Sequence, residues 1–123
     1  MDKHALTVSV ESVDDVPIIR AAGDLDLGTV PEMRAVVNQV TESRPRSVVF
    51  DFRELAYLDS SGLGILVSAK KRLGAYEGQV VILTARPSVL KALSLSGLDQ
   101  IIKVYPSEQA YRDAQGGVLA PAH

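Results

Sequence analysis

The sequence predicts an α/β domain built on one mixed β-sheet. An N-terminal hairpin is followed by mostly parallel strands and about four helices, in the order ββαβαβαβα. Three observations carry this. Leu6, Val8 and Val10 alternate with Thr7, Ser9 and Glu11, the period-two signature of a half-buried strand. "SVVFDF" and "QVVILTA" are continuous apolar runs of strand length, as expected of strands covered on both faces. Helix-period segments separate the later strands, which is how parallel strands are connected.

The first strand covers Ala5 to Glu11, and the acidic turn "SVDD" leads into a second over Val16 to Gly23, with Pro17 near its start where a missing N–H is tolerated. "GDLDLGTVPEM" reads as a loop entering a helix. Thr29 and Glu32 have capping-box spacing, Pro31 falls in the first turn, and Met33, Val36, Val37 and Val40 form the inward face. Pro45 disfavours helix at Arg44. "SVVFDF", Ser47 to Phe52, is the central strand, and "RELAYLD" connects it to a helix opening at the serines and stopping near Gly78. "QVVILTA" follows. "RPSVLKALSLSGL" is a short helix with Gly97 as its terminating glycine, "QIIKVY" a last strand, and "PSEQAYRDAQ" a final helix that Ser107 can cap. Residues 1–115 form the domain, and 116–123 ("GGVLAPAH") form a flexible tail.

Composition excludes several classes. The 123 residues suit one domain able to bury a core unaided. There is no cysteine, so neither a disulfide framework nor a thiolate metal site exists. A net charge of -2, with two phenylalanines, four tyrosines and no tryptophan, offers no basic-aromatic face for nucleic acid. No apolar run approaches the ~20 residues of a membrane span, and "MDKHALTVSV" is no secretory leader. The expectation is a soluble, cytoplasmic protein acting on neither nucleic acid nor membrane.

"YLDSSGLGIL", Tyr57 to Leu66, carries the candidate chemistry. A helix N-terminus has unpaired N–H groups and partial positive charge, and Asp59, Ser60 and Ser61 supply acceptors for them. Capping alone accounts for these three residues. Gly62 and Gly64 are less easily explained, each costing about 1 kcal/mol against alanine in a helix. They remove bulk beside the serines, which would let another protein reach Ser60. On that reading Gly62→Val folds with little loss and docks poorly. Serine hydrolysis is disfavoured: no G-x-S-x-G elbow is present, and the only histidines are His4 and His123. There is no G-x-x-x-x-G-K-[ST] loop. Asp24, Asp26 and Asp59 read as solvated loop acids in preference to a magnesium site, so no metal or cofactor is expected. Lys70, Lys71 and Arg72 complement a helix C-terminus.

"GDLD", "DFRELAYLDSSGLGIL" and "LSGLDQII" taken together resemble the STAS domain, specifically the bacterial anti-sigma factor antagonists. The likeness runs from about Leu6 to Arg112. The turn Gly23–Asp26, Thr29, the D-S-S-G-L-G segment Asp59–Gly64 and the S-G-L at Ser96–Leu98 occur in the family's order. The resemblance implies a binding switch and not an enzyme, working by partner switching on a sigma factor in stress response or sporulation signalling. The unmodified antagonist would bind an anti-sigma factor that is an ATP-dependent serine kinase and so free the sigma factor. Phosphorylation on Ser60 (alternatively Ser61) would end binding, and a PP2C-type phosphatase would reset it. It further implies a partner surface of Asp24, Asp26, Thr29, Asp59, Ser61, Gly62 and Gly64. The alternative is a STAS scaffold or transport-complex subunit that is not phosphorylated. Oligomeric state is left open.

Overall fold

A computed structural model describes the backbone over residues 5–119 and side chains over 5–115. The hairpin pairs β1 (Leu6–Val13) antiparallel with β2 (Val16–Leu25). Asp14 and Asp15 close it with φ of 53° and 65°, the doubly left-handed geometry whose twist matches the flanking strands. Then follow α1 (Val30–Thr41), β3 (Ser47–Leu58), α2 (Ser60–Gly74), β4 (Gln79–Leu83), α3 (Pro87–Ser96), a 3-10 turn (Leu98–Gln100), β5 (Lys103–Tyr105) and α4 (Glu108–Leu119). The five strands lie in sequence order, and every pairing after the hairpin is parallel. The predicted class and element order are those observed.

Strand alternation divides the core in two. Ile19, Ala21, Val48, Phe50, Phe52, Val80 and Ile82 face α1, α2 and α3 in the main cluster. Ile18, Val49, Val81 and Leu83 point the other way, where Tyr111 of α4 packs over them with Tyr105. On that second face Asp51 is buried between Arg53, at 2.8 Å, and Arg20, at 3.2 Å. Glu108 of α4 reaches both arginines, at 3.5 and 3.8 Å. Burial pushes the Asp51 carboxyl up, but the Arg53 hydrogen bonds and the charges of Arg53 and Arg20 outweigh it and hold the group below its ordinary value.

Several boundaries differ from the sequence reading, each for a local reason. Both β2 and β3 run further than their apolar runs, β3 taking in the whole of "RELAYL". The register between them slips at Arg20/Ala22 and at Gly23/Asp24, so buried Phe52, Leu55 and Leu58 recur every third residue and not every second. Gly23 is required at the slip: its φ is +107°, and a Cβ there would stand 2.2 Å from the Ala5 carbonyl oxygen. Beyond Asp51, β3 has no β4 partner. The start of α3 covers it instead, with the Ser88 hydroxyl donating to the Ala56 carbonyl at 3.0 Å.

After α2 it is Glu77, one residue before the expected Gly78, that turns left-handed, with φ 66°. Gly97 ends α3 at φ 80°, as read, and the Ser107 hydroxyl accepts from the Ala110 N–H at 3.0 Å. The backbone of α4 continues to Leu119, past the expected start of the tail at 116. Residues 120–123, and with them His123, lie outside the described residues, as does His4.

Candidate functional site

The parallel strands β2 and β3 end side by side, Leu25 opposite Leu58, and the Asp59 N–H donates to the Leu25 carbonyl at 3.2 Å. Two helix entrances, those of α1 and α2, are thereby placed together at this end of the sheet. Asp59 is extended and is the cap of α2. Its Oδ1 accepts from the Ser61 N–H at 2.9 Å, the Gly62 N–H at 3.3 Å and the Ser61 hydroxyl at 2.5 Å. Its Oδ2 accepts from the Leu27 N–H at 3.3 Å, which ties the neighbouring loop to the cap. Partial burial pushes this carboxyl up. The Ser61 hydroxyl and the N–H groups of Gly62, Ser61 and Leu27 together prevail and hold it low.

The two serines are therefore unlike. Ser61 is half-buried, with its hydroxyl spent on Asp59. Ser60, the first residue of α2, is exposed and its hydroxyl makes no hydrogen bond among the described residues. It is the free nucleophilic oxygen of the pair.

Asp24 lies at the end of β2 beside this site, and Asp26 and Thr29 lie in the turn that follows, where Asp26 is not a solvated loop acid. Asp26 is only 7% exposed, and its Oδ1 accepts from the N–H groups of Gly28 at 3.0 Å and Thr29 at 3.1 Å. Thr29 precedes α1 without capping it. Its hydroxyl turns back, accepting from the Asp26 N–H at 3.0 Å and donating to the Asp24 carbonyl at 2.8 Å. The capping box expected from Thr29 and Glu32 does not form, because the threonine oxygen is committed to the loop. Asp24, half-buried, belongs to β2. Among the described residues no group of three or more His, Cys, Asp or Glu is arranged to hold a metal ion.

The two glycines separate. A Cβ on Gly64 would meet nothing within 4 Å, and this residue is exposed as the docking argument requires. Gly62 is buried. A Cβ there would stand 2.4 Å from Leu58 Cδ1 and 2.9 Å from Leu25 Cγ. Its smallness lets α2 sit against the strand ends, so the reading of Gly62 as docking surface is corrected: it is a packing glycine.

Sequence reading missed Leu27 and Tyr57. They are 76% and 50% exposed and line one shallow recess of about 290 Å3 with Asp26, Gly28 and Asp59. An apolar residue between Asp26 and Gly28 at a turn tip was the available signal for Leu27. Tyr57 opens the quoted stretch, but with its segment read as a connector and not as the end of β3, its place beside the turn was not evident.

Asp59 gives a pH test. Its depressed carboxyl contributes stability that is full above the unfolded value of about 3.9 and is lost as pH falls through the folded value. Asp59→Ala is expected to cost about 1 kcal/mol at neutral pH, the usual loss of a cap. Asp59→Asn keeps a capping oxygen, and its stability relative to the parent is expected to rise as pH falls below about 4. Urea melts from pH 2.5 to 7 would show this; a constant difference would mean the carboxyl is not held low.

A family model described as the STAS domain matches residues 7–111. The anti-sigma F factor antagonist of Paenibacillus polymyxa is 29% identical over 104 residues, 84% of this chain and 89% of that protein. Among solved structures, an anti-sigma factor antagonist from Mycobacterium paratuberculosis aligns at TM-score 0.80 and 28% identity, covering 85% of this chain and 89% of that one. SpoIIAA is similar in two states. The anti-sigma factor antagonist in its unphosphorylated form aligns at TM-score 0.75 and 27% identity, over 89% of this chain and 97% of that one. The Bacillus cell fate determinant in the phosphorylated form aligns at 0.69 and 25%, over 88% and 99%. Fold, loop and serine-bearing helix entrance thus meet in one assignment: the chain belongs to the STAS domain family.

Proposed function

We propose that this protein is an anti-sigma factor antagonist of the cytoplasm, switched by phosphorylation of Ser60. The unmodified form binds an anti-sigma factor that is also an ATP-dependent serine kinase, and that binding releases a sigma factor. The kinase transfers the γ-phosphoryl group of ATP to the Ser60 oxygen, with loss of the hydroxyl proton and release of ADP. A PP2C-type phosphatase hydrolyses the phosphoserine and restores binding. The observation that carries the reading is the exposed, unbonded Ser60 hydroxyl at the entrance of α2, beside a Ser61 whose hydroxyl is occupied. A relative of this fold, SpoIIAA, is known in phosphorylated and unphosphorylated forms.

The chemistry of the position suits a switch. Phosphoserine carries about -1.5 to -2 charges at neutral pH. At a helix N-terminus that charge meets the positive end of the dipole, so the fold tolerates it. A partner that must close over Ser60 does not, since the phosphate adds bulk and charge next to Asp59.

Incubation with ATP and each purified anti-sigma factor kinase from the source genome, followed by intact-mass measurement and phosphopeptide mapping, tests this. One phosphate on Ser60 is expected. Modification confined to Ser61 would move the switch by one residue. No modification by any of these kinases would favour an unphosphorylated scaffold or transport-complex subunit instead.

A further inference from the structure

Leu27 is exposed on a loop that has no freedom to bury it. The Asp26 carboxylate holds the N–H groups of Gly28 and Thr29. The Val30 N–H donates to the Asp26 carbonyl at 2.8 Å, the Thr29 hydroxyl bridges Asp24 and Asp26, and Leu27's own N–H is held by Asp59. Tyr57, which lines the same recess, is held on β3 by pairing with β2, in register with Asp24. A rigid, exposed leucine and tyrosine facing one recess have the makings of an interface anchor: large apolar area offered with little ordering cost.

We infer that the Leu27–Tyr57 recess is an affinity anchor of the partner interface and receives an apolar side chain of the anti-sigma factor. Continuity fixes the occupant. The residue whose carboxylate holds Leu27 immediately precedes Ser60, so a protein that closes over the Ser60 hydroxyl covers the recess as well. This rests on the antagonist reading and adds to it where binding strength resides: the switch residue turns binding off, and the recess holds the partner while it is on. Leu95 provides the contrast. It is equally exposed, at 78%, but lies near the end of α3 and does not line the recess.

The test uses the full chain carrying Ser60→Ala, so that phosphorylation does not intervene, and the purified anti-sigma factor kinases of the source genome as probes. Leu27→Ser and Tyr57→Ser are each expected to raise Kd about tenfold by calorimetry, in the range of interface anchors. Leu95→Ser should bind like the parent. All three should melt within a few degrees of it, as surface substitutions do. If the parent binds none of the probes, this inference and the antagonist reading both fail. If it binds, and the Leu27 and Tyr57 variants bind within twofold, only the anchor is overturned. It is overturned also if sedimentation shows that the parent self-associates and these variants do not, for then a second copy fills the recess.

Discussion

Ser60→Ala is expected to accept no phosphate and to retain partner binding, giving an antagonist that stays active in the presence of kinase and ATP. The first half follows from removing the one free hydroxyl at the entrance of α2. The second follows because that hydroxyl supports nothing in the fold: it makes no hydrogen bond among the described residues, and Asp59 caps the helix in its place. Ser60→Asp adds one charge where phosphate adds nearly two. Like charges brought together at an interface cost several kcal/mol, so phosphorylation should weaken binding on the order of a hundredfold, and aspartate about tenfold, or about 1.4 kcal/mol. Binding measured by calorimetry with and without ATP checks both variants. Loss of binding in Ser60→Ala equal to that in Ser60→Asp would show that the hydroxyl is itself a contact, and the switch would need another account.

Gly62→Val should destabilise the fold by about 3 kcal/mol, the upper part of the range for overpacking a core, and Gly64→Ala should stabilise it by up to about 1 kcal/mol. The same helix therefore answers in opposite directions two residues apart. At Gly62 the gain in helix propensity is at most about 1 kcal/mol, while the new atoms run into Leu58 and Leu25, both buried. Packing wins. At Gly64 nothing is within reach, and propensity acts alone. For a domain of this size the valine should lower the melting midpoint by roughly 10 °C. A Gly62→Val protein that melts with the parent would mean that α2 can lift from the strand ends freely. In the kinase assay Gly64→Ala reports on the docking face without the confusion of a damaged core.

The order of elements was legible because each signal was local. Alternation marked β1, uniform apolar runs marked β4 and the first half of β3, and Gly97 announced the end of α3. The second half of β3 was not legible. Its buried residues Phe52, Leu55 and Leu58 follow a spacing of three, imposed by a register slip that involves a different strand. Ser60 was set ahead of Ser61 by the family resemblance alone, since two adjacent hydroxyls at a helix entrance look alike in sequence, and in the fold Asp59 is seen to claim the second. Gly62 was misread for a related reason. A glycine that makes room for a partner and a glycine that makes room for two leucines leave the same letter, and only the leucines' positions decide between them.

The direction of α4 has a practical corollary. The helix begins with Glu108 beside Arg20 and Arg53, and Tyr111, Arg112 and Gln115 line one recess with Val13 and Asp14 of the hairpin turn. That turn opens β2, whereas Ser60 follows the paired ends of β2 and β3 at Leu25 and Leu58. A dye, a fused reporter or a surface tether attached at Gln115 would thus sit on the hairpin-turn side of the domain and not at the switch, leaving Ser60 and Leu27 open to whatever flows past.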